Sequence, residues 1–146
     1  HPSGQGRQWY GLYPHDWNGA EVEVSKLLVT LKKFDTDQIP LIKTILLGFS
    51  QGAAMAIDAG SKLDIGLIVA CSGYSHPDWL PSKKCPPIIL SHGLMDDVVP
   101  IATSRAIYEK VKSKSLQFCK LIEFDGYHQI DTNLIDVINS NMNNIF

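Results

Sequence analysis

Six uncharged residues in a row, Thr44-Ile45-Leu46-Leu47-Gly48-Phe49, run directly into Ser50-Gln51-Gly52 and then into an alanine-rich stretch. An uninterrupted apolar run of this length reads as a strand buried on both faces. The stretch from Gly52 to Lys62, with Ala53, Ala54 and Ala56, reads as a helix. A strand that passes into a helix within three residues needs a sharp turn. Gly48-Phe49-Ser50-Gln51-Gly52 supplies it in the form G-x-S-x-G. Such a turn strains the serine backbone and lifts the hydroxyl clear of the sheet, and glycine at positions 48 and 52 relieves the crowding on either side. The helix that follows aims its positive end and its first N–H groups at the serine, where a developing oxyanion would be stabilised. As a bare pattern G-x-S-x-G also marks ordinary strand-to-helix turns. Its position at the end of a buried strand favours a nucleophile.

The rest of the chain repeats the alternation. Residues 1 to 16 are rich in Gly, Pro and aromatics and read as an irregular loop. Ala20, Val24, Leu27, Leu28, Leu31 and Phe34 recur at helical spacing and predict a helix over Trp17–Phe34, with Asn18 as its cap. Pro40 closes the connection that follows. Further strands are predicted at 65–71, 88–92 and 117–124, and further helices at 101–112 and from 131 to about 143. Apolar strands separated by helices imply an α/β fold with a parallel sheet and helices on both faces. In such sheets the reactive groups gather at the carboxyl ends of the strands.

Composition narrows the function classes. The 146 residues carry 13 Lys+Arg against 15 Asp+Glu, a net charge of −2, with no basic cluster, so a nucleic-acid footprint is not expected. No apolar run approaches the roughly 18 residues of a membrane span. Cys71, Cys85 and Cys119 are too few and too scattered for a disulfide framework or a Cys-x-x-Cys metal site. They read as reduced, structural thiols in a cytoplasmic protein with neither a metal nor an organic cofactor. A homodimer is compatible with the sequence, which does not specify the oligomeric state.

A serine nucleophile needs a base, and the base needs an orienting carboxylate. The third strand runs into Ser91-His92-Gly93-Leu94-Met95-Asp96-Asp97, which offers two candidate acids. Asp97 is equally suited to capping the helix that begins near Pro100. The fourth strand runs into Phe124-Asp125-Gly126-Tyr127-His128, which places a histidine at a loop tip. The order Ser, acid, His is that of hydrolases on this scaffold. His1 and His15 fall in the leading loop and His76 in a surface-like loop rich in Pro and Ser. His92, at a strand end, reads as shaping its loop. His128 is the expected base.

At these residues the sequence resembles the phospholipase/carboxylesterase family of α/β-hydrolases, which includes the acyl-protein thioesterases. The matching stretches are G-F-S-Q-G-A at 48–53, H-G-x-x-D-x-x-V-P at 92–100 and G-x-H at 126–128. Gly6-Arg7-Gln8-Trp9-Tyr10 also resembles a loop of bacterial members. The resemblance selects Asp96 over Asp97. It implies a Ser50–His128–Asp96 triad, an oxyanion site at the Gln51 backbone N–H, and a small-molecule or lipid acyl ester or thioester as substrate. Leu94, Met95, Trp79 and Trp9 are expected to line the acyl pocket. The family's front strands and its His-Gly loop, which donates a second oxyanion N–H, have no counterpart here. The reading therefore expects further chain before His1, with residues 1–146 forming the carboxyl-terminal portion of one domain. Two rivals remain: a dienelactone-hydrolase-like or peptidase-like enzyme, the former disfavoured by serine rather than cysteine at position 50, and a non-catalytic module keeping the hydrolase shape.

Overall fold

In the computed structural model, which describes residues 6–144, every predicted helix and strand forms. In chain order these are α1 (Trp17–Phe34), β1 (Ile45–Phe49), α2 (Gln51–Gly60), β2 (Leu67–Cys71), β3 (Ile88–Gly93), α3 (Ala102–Lys114), β4 (Cys119–Phe124) and α4 (Leu134–Asn141). A short 3₁₀ turn at Leu41–Lys43, which carries no periodic signal of its own, leads into β1. His1 and the rest of 1–5 lie outside the described residues.

The cap of α1 differs from expectation. Asp16 closes the helix, its Oδ1 accepting from Gly19 N at 2.9 Å, while Asn18 already lies within the first turn. Asp16 keeps a non-helical backbone (φ −93°, ψ 82°), which frees its carboxylate to reach forward.

The four strands pair in the order β1-β2-β3-β4, all parallel. α2 and α3 cover one face, where Ala53, Ala56 and Ile57 meet Ile68 and Ala70, and Ile107 and Val111 meet Ile88 and Leu90. α4 covers the other, setting Leu134 and Ile138 against Leu67, Val69 and Ile89. α1 lies outside α2, burying Ala20, Val24 and Leu31 against Met55 and Ala59. β2 and β3 are buried at every position, as apolar runs between two helix layers should be.

β1 departs from the reading of its sequence. Ile45 and Leu47 remain 38% and 45% exposed. Among the described residues β1 is an edge strand, and of its residues only Phe49 packs against the cluster that α4 closes over β2 and β3. An apolar run reports suitability for burial; the cover itself comes from elsewhere in the fold.

The register aligns the carboxyl ends at one rim. Phe49 pairs with Cys71, Cys71 with Ser91, and Gly93 with Phe124. The segments that leave these ends are the elbow at 50, the turn at 94–99 and the loop at 125–128. They are brought together although they lie far apart in sequence.

The elbow depends on contact between β1 and the first turn of α2. A Cβ on Gly48 would run into the Gly52 carbonyl and the Ala53 nitrogen, both backbone and unable to swing aside. Gly48→Ala is expected to cost about 3 kcal/mol, lowering Tm by roughly 9 °C at about 3 °C per kcal/mol. Thermal unfolding followed by circular dichroism checks this, and a shift under about 2 °C would show the turn to be more pliant than the packing implies.

Candidate active site

Ser50 sits where β1 hands over to α2, with φ 55° and ψ −120°, one of two non-glycine residues at positive φ among those described. That conformation is strained for a side chain bearing Cβ. The Ser50 N–H donates to the Cys71 carbonyl at 2.9 Å, and its own carbonyl accepts from Ala53 N at 3.0 Å. The turn is thereby tied to β2 on one side and α2 on the other. Gln51 opens the helix, so its N–H has no acceptor within the helix.

His128 comes from the loop after β4 and Asp96 from the turn after β3. Their two backbones are in close contact, since a Cβ on Gly93 would strike the carbonyls of Gly126 and Tyr127. Leu94 N donates to Phe124 O and Met95 N to Gly126 O, each at 2.9 Å. The Ser72 hydroxyl donates to the Gln129 carbonyl at 3.3 Å and ties the histidine loop to the end of β2. On this frame His128 Nε2 stands 3.0 Å from Ser50 Oγ and His128 Nδ1 stands 2.8 Å from Asp96 Oδ2. Phe49 flanks the imidazole, with ring centroids 4.8 Å apart.

The Asp96 side chain is fully buried. Burial pushes its carboxyl up, but the hydrogen bond from His128 and the backbone N–H groups of Val99 and Val98 outweigh this and hold it below the usual carboxylate range. Oδ1 takes those two N–H groups at 2.8 and 2.9 Å, leaving Oδ2 for the histidine. An ionised Asp96 accepts only, so the proton between the two groups resides on His128 Nδ1. Nε2 is left with its lone pair toward Ser50 O–H.

Asp97 is exposed, and it caps nothing: α3 begins at Ala102 without a side-chain cap. His92 does shape its loop. It is fully buried, its Nε2 meets the Val99 carbonyl at 2.8 Å and Asp96 Oδ2 at 3.2 Å, and its Nδ1 meets Ser104 Oγ at 2.6 Å.

The structure separates the four expected pocket residues. Leu94 and Met95 are 43% and 48% exposed, on the turn that contacts the His128 loop. Trp9 is 45% exposed and lies by the elbow at Gly52. Its N–H donates to Gln51 Oε1 at 2.7 Å, and a Cβ on Gly52 would lie 4.0 Å from its indole nitrogen. Gly52 thus has no crowding within the turn to relieve; what it leaves open is the space beneath Trp9. Trp79 is not at this rim. It is buried in the core, with its indole N–H donating to Ser61 Oγ just beyond the far end of α2.

His76 also departs from expectation. It is buried, with Nδ1 2.7 Å from Asp58 Oδ2 and Nε2 3.0 Å from the Tyr10 hydroxyl. Only the hydrophobic neighbours at 65–71 hint at burial, because Ser75-His76-Pro77-Asp78 carries no apolar pattern of its own.

Parallel strands with helices on both faces, a strained serine between strand and helix, and histidine and carboxylate on neighbouring loops define the α/β-hydrolase fold. The phospholipase/carboxylesterase family model matches residues 3–145, and the chain belongs to that family. Acyl-protein thioesterase 1 homolog 2 of Dictyostelium discoideum is 31% identical over 137 residues, covering 83% of this chain and 62% of that protein. Acyl-protein thioesterase 1 of Debaryomyces hansenii is 30% identical over 129 residues, covering 75% of this chain and 56% of that protein. The chain thus spans less than two thirds of the length of these relatives. Among solved structures, esterase PE8 superposes with a TM-score of 0.74 at 26% identity, over 97% of this chain and 76% of that one. SOBER1 of Arabidopsis thaliana gives a TM-score of 0.74 at 18% identity, over 94% of this chain and 70% of that one, and shares the fold. Among the described residues no helix is long and apolar enough to cross a membrane.

The depressed Asp96 pKa has a definite pH signature. Its contribution to stability is present above the ordinary carboxylate value of about 3.9 and is lost as pH falls through the lower folded value. The destabilisation caused by Asp96→Asn should therefore not shrink between pH 7 and about 5, and should shrink below about pH 4. Urea midpoints of the two proteins across this range check it; a difference that vanishes already at pH 5 would refute the assignment.

Proposed function

We propose that this protein is a serine hydrolase of carboxylic esters or thioesters, acting through Ser50, His128 and Asp96 and an acyl-enzyme. The observation that carries the reading is the unbroken hydrogen-bond chain from Ser50 Oγ through both ring nitrogens of His128 to a buried carboxylate. Ser50 Oγ attacks the acyl carbonyl carbon while its proton passes to His128 Nε2. Asp96 keeps the ring in the required tautomer and stabilises the imidazolium. The Gln51 N–H, at the positive end of α2, donates to the oxyanion. Collapse expels the alkoxide or thiolate, which leaves with the proton from His128. Water, deprotonated by the same nitrogen, then attacks the acyl-enzyme and releases the carboxylic acid and free Ser50. No step calls for a metal or an organic cofactor.

The exposed apolar side chains on segments next to the triad, Trp9 by Gly52 and Leu94 and Met95 on the turn that carries Asp96, favour an acyl group over a charged substrate. The kinship with acyl-protein thioesterases and an esterase supports the same class. A small-molecule or lipid acyl ester or thioester is the substrate proposed. Free Cys71, Cys85 and Cys119, whose thiols burial pushes up to about 11, 11 and 12, suit a reducing compartment, and the cytoplasm is the proposed site of action.

A fluorophosphonate probe tests the nucleophile. Ser50 should be labelled in the unmodified protein, and labelling should disappear in Ser50→Ala; an unlabelled parent would favour a non-catalytic module. Asp96→Asn should lower kcat by about 10⁴-fold, whereas Asp97→Asn should stay within a few-fold of the parent. The opposite ranking in steady-state hydrolysis of an aryl ester would assign the acid to Asp97.

A further inference from the structure

A second histidine–carboxylate pair lies beneath the site and takes no part in the proposed chemistry. Asp58 is on α2 and His76 is on the segment after β2. Burial pushes the Asp58 carboxyl up, but hydrogen bonds from His76 and Lys62 hold it below its ordinary value. An ionised Asp58 accepts the proton on His76 Nδ1 at 2.7 Å. His76 Nε2 and the Tyr10 hydroxyl are hydrogen-bonded at 3.0 Å. The Tyr10 and Tyr74 hydroxyl oxygens stand 2.6 Å apart and share a hydrogen bond. The chain Tyr74–Tyr10–His76–Asp58 is thus one continuous, largely buried hydrogen-bond network.

Tyr10 is gripped from its other end as well. Its carbonyl accepts from Gln51 Nε2 at 2.9 Å, and the same amide's Oε1 accepts from Trp9 N at 2.7 Å. Gln51 and Asp58 are seven residues apart, about two helical turns and ~10 Å along one face of α2. One rigid helix therefore holds both ends of a single tyrosine, directly at its backbone and through His76 at its hydroxyl. What is fixed in consequence is Trp9, the neighbouring residue, with its indole next to Gly52 and two residues from Ser50.

We propose that Trp9 determines acyl-chain specificity and that Gln51, Tyr10, His76 and Asp58 are positioning residues that hold it against the elbow. Nearly half of the Trp9 surface is exposed, and its indole nitrogen lies 4.0 Å from where a Cβ on Gly52 would stand, two residues from Ser50, so the ring is available to an alkyl chain there. The two-point amide clamp leaves the Trp9 backbone no freedom to retreat from the rim. The Gln51 side chain thus acts separately from its main-chain N–H: one places a wall of the acyl site, the other faces the oxyanion. This inference rests on the serine-hydrolase reading and names the feature of that site that selects the acyl group.

The test compares inactivation rates of the protein by two fluorophosphonates, one with a short and one with a long alkyl chain. The ratio of long-chain to short-chain rates cancels any loss common to both. Trp9→Ala is expected to lower that ratio about tenfold, in keeping with the value of a few methylenes in an apolar site. Tyr10→Phe and Gln51→Met should lower it in the same direction. In a Trp9→Ala background neither should lower it further, since residues that act only through Trp9 have nothing left to place. A merely structural role would slow both probes alike and leave the ratio where it was. Trp9 is half exposed, so Trp9→Ala decides the matter even where the Tyr10 variant fails to fold. An unchanged ratio in Trp9→Ala, or additive losses in the double variants, overturns the inference while leaving the hydrolase intact. A parent protein unlabelled by either probe overturns the hydrolase reading, and this inference with it.

Discussion

One turn of backbone governs this structure. Between Phe49 and Gln51 the chain reverses from strand to helix through a serine at φ 55°, and that conformation costs of order 1–3 kcal/mol. The molecule holds it by burying eight of the ten residues of α2, by bonding Ser50 N to β2, and by letting Gly48 touch the backbone of α2. Relaxing the turn would drag α2 from the sheet and uncover Ala53, Ala56 and Ile57. The strain is therefore tolerable only with the helix docked, and the docked helix presents a hydroxyl that its own turn cannot hide.

The rim around that hydroxyl is assembled by register rather than by sequence proximity. Ser50 and His128 are 78 residues apart and His128 and Asp96 are 32 apart, yet each follows a strand end that pairs in step with its neighbour. Small residues let the loops close. Gly93 admits the carbonyls of Gly126 and Tyr127, and the N–H groups of Leu94 and Met95 then bond across the gap. The choice between two adjacent aspartates is made by the turn itself. Val98 and Val99 fold their N–H groups back onto Asp96 Oδ1, which turns Asp96 inward and leaves Asp97 in solvent.

These relations also separate what the sequence can reveal from what it cannot. The span of α1, the parallel sheet and the positions of Ser50 and His128 rest on local signals: periodicity, apolar runs and short stretches at strand ends; between Asp96 and Asp97 only the family resemblance chooses. Features set by a distant neighbour are out of reach. Ile45 and Leu47 are as apolar as any buried strand, but nothing in their own segment says that α4 covers other strands. Trp79 reads as a loop residue free to line a pocket, yet Ser61 captures its indole and the core encloses it. His76 lies in a polar stretch, and only the fold reveals that Asp58 and Tyr10 wait on either side of it. The Asp16 cap escapes for a smaller reason: Asp16 and Asn18 are both good caps, and two residues decide between them.

The two histidine–carboxylate pairs share one arrangement of protons and differ in what lies at the far nitrogen. In each, a carboxylate held ionised by the histidine and by further donors fixes a proton on Nδ1 and leaves Nε2 facing a hydroxyl. His128 turns that nitrogen to a serine hydroxyl at the rim, and its side chain keeps 17% exposure. His76 turns it to a tyrosine hydroxyl in the interior, and its side chain keeps 7%. The same pairing can thus activate a group or anchor one, depending on whether a substrate can reach the atom that it polarises. Both pairs are joined to α2, one through Ser50 at its start and the other through Asp58 two turns later. A displacement of that helix cannot disturb Ser50 without also disturbing the anchor of Trp9. The proposed nucleophile and the proposed acyl-binding wall are therefore both set by a single rigid element, α2.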